Sequence, residues 1–301
     1  MKIVIMGAGA IGSLYGALLS QNNDIFLIGR DPHISTIKKH GLKIDGKTKL
    51  KLKLNAETSI NNVYKPIDLL ILTVKSYDTK KAIAQAKPLI DKRTIVLSLQ
   101  NGLDNIDKIK EVVNPGNIVL GVTTNGALFL EPGAIEHTGK GTTIIGELSG
   151  KKTNRINDMA NIFNRSKIET SISDNILRDI WIKAIINSSI NPLTAFFKCK
   201  NGYLLENPIL ENLTEKICLE STNIAKSKGY NLSYKNMITK TKDVIRNTSN
   251  NYSSMLQSHI QGKKSEIEEI NGELIDTGNK NNVDTSLNEM LVLSLASLQA
   301  S

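Results

Sequence analysis

The sequence lacks a long hydrophobic run, and its first residues lack the features of a signal peptide. No apolar stretch reaches the roughly 18 residues that would suggest a membrane-spanning helix. The first residues, MKIVIMGAG, also lack the long apolar region and the small-residue cleavage site of a signal peptide. We therefore expect a cytoplasmic protein without a membrane partner.

Cysteine and aromatic residues are scarce as well. The 301 residues include two cysteines, Cys199 and Cys218, without C-x-x-C spacing, so we expect free thiols, and we expect no metal ion. Aromatic residues make up 4% of the chain, too few for an obvious base-stacking platform, and no nucleic-acid-binding motif accompanies the formal charge of +9. We expect no nucleic-acid partner. The charge suits a phosphate-bearing cofactor or a carboxylate substrate instead.

Lysines crowd residues 38–53. In KLKLKLN, residues 49–55, they alternate with leucine, which is typical of a strand with one solvated face and one packed face. We interpret this stretch as the solvated face of a sheet.

The pattern of apolar residues changes in character along the chain. In the first part, runs that are apolar on both faces alternate with helical stretches, as in a parallel sheet covered on both sides. These runs are residues 2–6, 25–29, 69–74, 94–99 and 117–122. Residues 133–146, GAIEHTGKGTTIIG, predict two strands joined by a turn at an antiparallel edge. From about residue 173 the pattern is helical. We predict an α/β protein with an N-terminal Rossmann-type, mostly parallel sheet in residues 1–172 and a C-terminal all-helical domain in residues 173–301.

The strongest nucleotide-binding signal is GAGAIG, which follows the first predicted strand and opens a helix. Gly7 permits a tight turn, Gly9 lets the backbone approach a pyrophosphate, and Gly12 lets helix and strand pack closely. The alternative is a purely structural turn. We predict a dinucleotide site formed by Gly7, Ala8, Gly9, Ala10, Ile11 and Gly12.

The end of the second predicted strand bears on the choice of dinucleotide. An acidic residue there would bind the ribose 2′-hydroxyl of NAD, but Arg30 comes first, and a guanidinium suits the 2′-phosphate of NADP. Asp31 beside it leaves NAD open, and Arg30 could also be an ordinary loop residue. Lys75 and Asn101 follow two further predicted strands, where ligands bind in such sheets.

A polar stripe interrupts an otherwise apolar helix in WIKAIINSSINPLTAFFKCKNG, residues 181–202. Lys183, Asn187 and Asn191 recur every four residues, so their side chains lie along one narrow face. Such a stripe could line an active site, or it could make a polar contact with another helix.

Together these motifs resemble the ketopantoate reductase (2-dehydropantoate 2-reductase) family over nearly the whole chain. The resemblance rests on GAGAIGSLYG, VKSYDT, QNG, the WIKAIINSSINPLTA helix, NG at 201–202, and SSMLQSHIQGKKSEIEEING at 253–272. It implies a Rossmann domain followed by a helical domain, and an NADP-dependent oxidoreductase acting on CH–OH groups. The implied reaction is NADPH-dependent reduction of 2-dehydropantoate to (R)-pantoate, in pantothenate and coenzyme A biosynthesis, by a monomer or homodimer.

The resemblance also implies roles for individual residues. The lysine matching Lys183 is the family's general acid and binds the keto oxygen. The family's glutamate, matched by Glu266, lies near that lysine and near the nicotinamide end of the cofactor; without the match, Glu266 would be an ordinary first-turn helix acid. The remaining substrate-binding positions correspond to Asn187, Asn191, Asn201 and Ser254.

Two positions depart from the family pattern, and two other functions stay open. Ser258 stands where many members have Asp, and Asp78 stands where some have Gln near the adenosine phosphate. The same scaffold could reduce another small 2-keto acid, such as a branched-chain one, because a few pocket residues set the substrate. A non-catalytic NADP-binding regulator is the more remote alternative.

Overall fold

The computed structural model describes residues 1–300, with side chains through residue 297. The chain forms two compact units, Met1–Gln100 with Asn105–Asp179, and Asn101–Asp104 with the chain from Ile180 onward. Each unit has its own hydrophobic core. The sequence-based division into functional domains at 172/173 stays a prediction.

The first unit contains the predicted Rossmann-type sheet. Its strands are β1 Lys2–Met6, β2 Asp24–Ile28, β3 Leu42–Gly46, β4 Leu50–Leu52, β5 Asn55–Glu57, β6 Leu69–Leu72, β7 Ile95–Ser98, β8 Ile118–Thr123, β9 Gly126–Glu131, β10 Ala134–Gly139, β11 Thr143–Glu147 and β12 Thr170–Ile172. Its helices are α1 Ala10–Leu19, α2 His33–His40, α3 Thr79–Ala86, α4 Asn105–Lys110 and α5 Asn154–Arg165. The larger sheet has the order β12-β11-β8-β7-β6-β1-β2-β5, and its pairs are parallel except β8 with β11. The five predicted apolar strands are confirmed as β1, β2, β6, β7 and β8.

Burial explains the composition of this sheet. Every residue of β6 and β8 is buried, as expected for strands that are covered on both faces. On α1, the fully buried Tyr15 donates a hydrogen bond to Thr123 Oγ1 at 2.8 Å and lies 2.6 Å from Thr143 Oγ1. The Tyr15 hydroxyl therefore joins α1 to β8 and β11 while its ring packs in the core.

A smaller sheet has the order β4-β3-β10-β9. The two strands predicted in residues 133–146 are present as β10 and β11. They do not form one antiparallel edge, because β10 pairs with β3 and β9 in the smaller sheet, whereas β11 pairs with β8 in the larger sheet. The chain between them crosses from one sheet to the other. Gly141 packs there so tightly that an added Cβ would lie 2.3 Å from the carbonyl carbon of Thr124. The lysine–leucine alternation is confirmed at β4, where lysines 49, 51 and 53 are exposed and leucines 50 and 52 are half-buried.

The regular secondary structure of the second unit is all helical in its described residues, as predicted. Its elements are α6 Ile176–Phe197, which begins within the first unit, then α7 Tyr203–Glu206, α8 Pro208–Ser227, α9 Tyr234–Asn247, α10 Ser254–Ile260, a π-helical turn Glu268–Gly272, α11 Glu273–Lys280 and α12 Ser286–Ala300. Trp181, Ile217, Leu274 and Leu291 belong to its core. Among residues 1–300, each helix is too short or too polar to cross a lipid bilayer.

Candidate active site

The loop between β1 and α1 requires glycine at two of its positions. Gly7 has a φ of +111°, and an added Cβ would lie 2.5 Å from the backbone nitrogen of Val74. A Cβ on Gly12 would lie 2.2 Å from the carbonyl oxygen of Gly7. Both substitutions would force the packed backbone apart, so Gly7 and Gly12 are needed for the turn itself.

Gly9 has a different environment. It is exposed, and a Cβ built on it meets open space within the described part of the chain. It stands at the cap of α1, whose first-turn N–H groups and positive dipole end attract anions. The loop formed by Gly7, Ala8, Gly9, Ala10, Ile11 and Gly12 therefore fits the pyrophosphate of a dinucleotide.

Arg30 and its acidic neighbours lie beyond the ends of β2 and β6. Arg30 Nη2 donates a hydrogen bond to Asp78 Oδ2 at 2.6 Å, and the Arg30 side chain is 79% exposed. Asp31 instead accepts the N–H of Ser35 at 3.0 Å, within the first turn of α2. Arg30 therefore lies at the predicted position, with a carboxylate from the loop after β6 as its partner.

The three remaining predicted cofactor residues are Lys75 in the first unit and Asn101 and Glu266 in the second. Lys75 is half-buried and follows β6 in the first unit. Asn101 belongs to the second unit, where its Nδ2 donates to Glu266 Oε2 at 3.3 Å. The structure thus brings Asn101 and Glu266 together.

The polar stripe lies on α6 as the spacing predicted. Lys183 and Asn187 are half-buried, and Asn191 is 7% exposed. On the same helix, Ile185 and Ile190 are buried in the core of the second unit. The helix therefore holds amide and ammonium groups in largely apolar surroundings, where polar groups need partners.

Lys183 has a perturbed acidity. Burial lowers the pKa of Lys183 to about 8, and the negative charge of the buried Glu266 opposes that shift. At neutral pH the ammonium form still predominates, yet it releases its proton more readily than an exposed lysine does. Lys183 thus has the acidity required of a general acid near neutral pH.

The last two predicted substrate residues are Asn201 and Ser254. Asn201 is buried; its Nδ2 donates to Thr248 Oγ1 at 2.9 Å, while its Oδ1 has no hydrogen-bond partner among the described residues. A buried acceptor of this kind suits a ligand hydroxyl. Ser254 begins α10 and is exposed, while the preceding Ser253 caps the helix by accepting the N–H of Leu256.

Sequence reasoning missed the residues that support α6. Pro192 lies inside this helix and has no N–H to donate to the carbonyl oxygen of Ser188. Asn271, in the π-helical turn, donates its Nδ2 to that oxygen at 3.4 Å and to Asn288 Oδ1 at 2.9 Å. A proline within a predicted helix was the available signal, since it leaves a carbonyl that needs another donor.

Comparisons with known proteins identify related sequences. Residues 3–150 match the family model described as ketopantoate reductase PanE/ApbA, and residues 175–299 match the model of that family's C-terminal region. A 2-dehydropantoate 2-reductase of Pyrococcus abyssi (strain GE5 / Orsay) is 42% identical over 294 residues, covering 97% of this chain and 95% of that protein.

Solved structures are similar over the same extent. The ternary structure of D-mandelate dehydrogenase with NADH and anilino(oxo)acetate is 29% identical, with a TM-score of 0.95 and coverage of 100% of this chain and 99% of that one. A PanE/ApbA family ketopantoate reductase from Ralstonia eutropha JMP134 is 28% identical, with a TM-score of 0.90 and full coverage of both chains.

Proposed function

This chain belongs to the ketopantoate reductase family, and we propose that it catalyses the NADPH-dependent reduction of 2-dehydropantoate to (R)-pantoate. The observation that carries the proposal is Lys183, a lysine on an apolar helix whose pKa is lowered to about 8 beside the buried Glu266. The relative from Pyrococcus abyssi bears the name of this activity. The proposed setting is the cytoplasm, where the product would serve pantothenate and coenzyme A biosynthesis.

The reduction needs a hydride and a proton, and the reduced nicotinamide cofactor supplies the hydride. Lys183 hydrogen-bonds the keto oxygen and gives it the proton as negative charge develops there. Glu266 keeps Lys183 charged, since its carboxylate raises the lysine pKa against the effect of burial. Asn101 donates to Glu266 and holds that carboxylate in place.

The other polar residues of the second unit are proposed to bind the substrate. 2-Dehydropantoate has a carboxylate, a keto group and a terminal hydroxyl. Asn201 Oδ1, which has no hydrogen-bond partner among the described residues, suits the hydroxyl, and the exposed Ser254 can donate to the carboxylate. Asn187 and Asn191, one and two turns after Lys183, supply further donors along the same face.

The first unit is proposed to bind the cofactor through the glycine loop, Lys75 and Arg30. Asn101 and Glu266 are the cofactor residues proposed, from the family likeness, within the second unit. Arg30 favours NADPH because a guanidinium pairs well with a phosphate. The oligomeric state proposed from the family likeness is a monomer or homodimer.

One structural neighbour raises a second candidate substrate. D-mandelate dehydrogenase shares the fold with a TM-score of 0.95, and its name refers to an aromatic 2-hydroxy acid. The higher identity, 42%, is to a 2-dehydropantoate 2-reductase, which favours 2-dehydropantoate over other 2-keto acids. Retention of Lys183 and Glu266 argues against a non-catalytic regulator.

Steady-state kinetics test the proposal. Initial rates with NADPH are compared for 2-dehydropantoate, 2-ketoisovalerate and benzoylformate, the last being the keto acid that corresponds to mandelate. We expect kcat/KM to be at least about tenfold higher for 2-dehydropantoate, because a buried acceptor such as Asn201 Oδ1 loses its partner when the hydroxyl is missing. Equal or higher kcat/KM for either other acid would contradict the assignment.

A further inference from the structure

We propose that Asp78 controls the choice of cofactor, and that by pairing with Arg30 it weakens the preference for NADPH over NADH. The inference rests on the proposed function only in taking the glycine loop as a pyridine-nucleotide site. Asp78 would thus oppose the NADPH preference expected from Arg30.

Arg30 and Asp78 meet at the edge of the sheet that binds the cofactor in Rossmann-type folds. Arg30 follows β2 and Asp78 follows β6, and β1 lies between these two strands in the sheet. The hydrogen bond from Arg30 Nη2 to Asp78 Oδ2, at 2.6 Å, therefore spans the carboxyl edge of the sheet where β1 leads into the glycine loop. In a Rossmann-type sheet this edge receives the dinucleotide, and the end of the second strand receives its adenosine ribose.

Folding stability does not account for this arrangement. Asp78 is the last residue of the 3₁₀ turn Ser76–Asp78, which runs directly into α3, and its backbone is already helical, with φ −94° and ψ −1°. In the described structure its carboxylate accepts none of the first-turn N–H groups of α3. The carboxylate therefore does not cap α3, and an ion pair with an exposed partner contributes little to stability. Here the carboxylate reaches Arg30, whose side chain is 79% exposed. The contact is better explained by what the guanidinium binds.

Two other acidic residues nearby have different partners. Asp31 accepts the N–H of Ser35, and Glu57 accepts from Lys38 Nζ at 3.0 Å. Asp78 is thus the acid that forms the ion pair with the Arg30 guanidinium. Its side chain is 26% exposed, so the solvent screens that charge less than it screens the charge of Arg30.

The two cofactors respond oppositely to such a pair. The 2′-phosphate of NADPH carries nearly two negative charges; Arg30 attracts it and Asp78 repels it. The 2′-hydroxyl of NADH is neutral and can donate a hydrogen bond to the Asp78 carboxylate. The Arg30 guanidinium has five N–H donors, and Asp78 accepts from one of them, so the others can still bind a phosphate. The pair therefore admits both cofactors, and removal of the carboxylate favours NADPH.

Binding measured without any keto acid tests the proposal. Kd values for NADPH and NADH are obtained from the fluorescence of the reduced nicotinamide for the parent chain, Asp78→Asn and Glu57→Gln. Glu57→Gln is the matched control: it removes one negative charge at the same sheet edge from an acid of similar exposure, 22%. We expect Asp78→Asn to raise the ratio Kd(NADH)/Kd(NADPH) by about tenfold. Glu57→Gln should change it by less than about twofold.

A ratio that stays unchanged or falls in Asp78→Asn would overturn the proposal, because Asp78 would then be neutral or would help Arg30 to hold the phosphate. Asp78→Ser, which also removes the carboxylate, gives a second measurement of the Kd ratio if the asparagine variant folds poorly. The same variants are assayed with 2-dehydropantoate. If the Kd ratio shifts but 2-dehydropantoate is not reduced, the substrate assignment fails and the role of Asp78 stands.

Discussion

At the scale of single residues, the three glycines of the first loop have different physical roles. Gly7 and Gly12 are required by the fold, since an added Cβ would meet backbone atoms at 2.5 and 2.2 Å. Gly9 has open space where its side chain would be, within the described residues. The sequence motif alone does not distinguish the three glycines. Their surroundings show that Gly7 and Gly12 serve the stability of the fold, whereas Gly9 leaves space for a ligand.

This difference gives a prediction. Gly12→Ala should destabilise the protein by about 1–3 kcal/mol, because the methyl group overpacks a closed turn. Gly9→Ala should change the stability by about 0.5 kcal/mol or less, but it should weaken NADPH binding at least tenfold because the methyl group occupies the space needed by the pyrophosphate. Urea unfolding and NADPH fluorescence titration measure the two effects. Normal NADPH affinity in Gly9→Ala would contradict the proposed site.

Lys183 supports a prediction about catalysis. If it is the general acid, Lys183→Ala should lower kcat by about 10²–10⁴-fold, while NADPH affinity changes little. Lys216→Ala, at an exposed position on α8, is the control and should keep the parent kcat. A folded Lys183→Ala variant with a kcat within about threefold of the parent would show that another group supplies the proton.

The lowered pKa of Lys183 predicts a pH dependence. The acid must be protonated, so kcat/KM should fall as the pH rises through about 8. Glu266 raises the lysine pKa, so Glu266→Gln should move this fall to lower pH. Values of kcat/KM measured from pH 6 to pH 10 at constant ionic strength locate this fall in the parent and in Glu266→Gln. A fall at the same or higher pH in Glu266→Gln would exclude the proposed coupling.

At the scale of elements, α6 depends on a residue from outside the helix. Pro192 leaves the carbonyl of Ser188 without its helical donor, and Asn271 supplies one from the π-helical turn that follows Glu266. Asn271 also donates to Asn288 on α12. The helix with the polar stripe and the segment with Glu266 are therefore joined by a buried amide.

A double-mutant cycle tests this connection. Asn271→Ala should cost about 1–3 kcal/mol of unfolding free energy, because it leaves buried acceptors unpaired. In the Pro192→Ala background the cost should be smaller, since the new N–H of residue 192 can bond the Ser188 carbonyl within the helix. Urea denaturation of the four proteins measures the coupling. Strictly additive effects would mean that Asn271 does not compensate for Pro192.

Local signals explain which elements the sequence predicted. Strands β1, β2, β6, β7 and β8 are apolar on both faces, and that pattern is readable within a short window. The smaller sheet was not predicted because β3 and β9 are partly exposed and pair with β10, a strand distant from β3 in the chain. Alternation identifies the faces of a strand but not its neighbours.

The same distinction applies to the candidate site. The stripe of Lys183, Asn187 and Asn191 follows from helical spacing alone. The partner of Arg30 and the donor to the Ser188 carbonyl come from residues far along the chain, so spacing could not reveal them. The roles of the site residues remain predictions that the experiments above address.

At the scale of the whole molecule, the formal charge of +9 acts on every anionic ligand. A net positive field raises the local concentration of anions and is screened by salt. NADPH carries nearly two more negative charges than NADH because of its 2′-phosphate. The field should therefore favour NADPH at low ionic strength, independently of the local contacts of Arg30.

Salt dependence separates this general attraction from the local pair. Raising the ionic strength from about 0.01 M to about 0.15 M shortens the Debye length from about 30 Å to about 8 Å. We expect the KM for NADPH to rise several-fold and the KM for NADH to rise less, while kcat changes little because proton transfer from Lys183 occurs at short range. Sodium and potassium chloride at equal ionic strength should act alike. If the KM values for both cofactors rise equally, the 2′-phosphate is not exposed to the positive field, and selectivity rests on Arg30 and Asp78 alone.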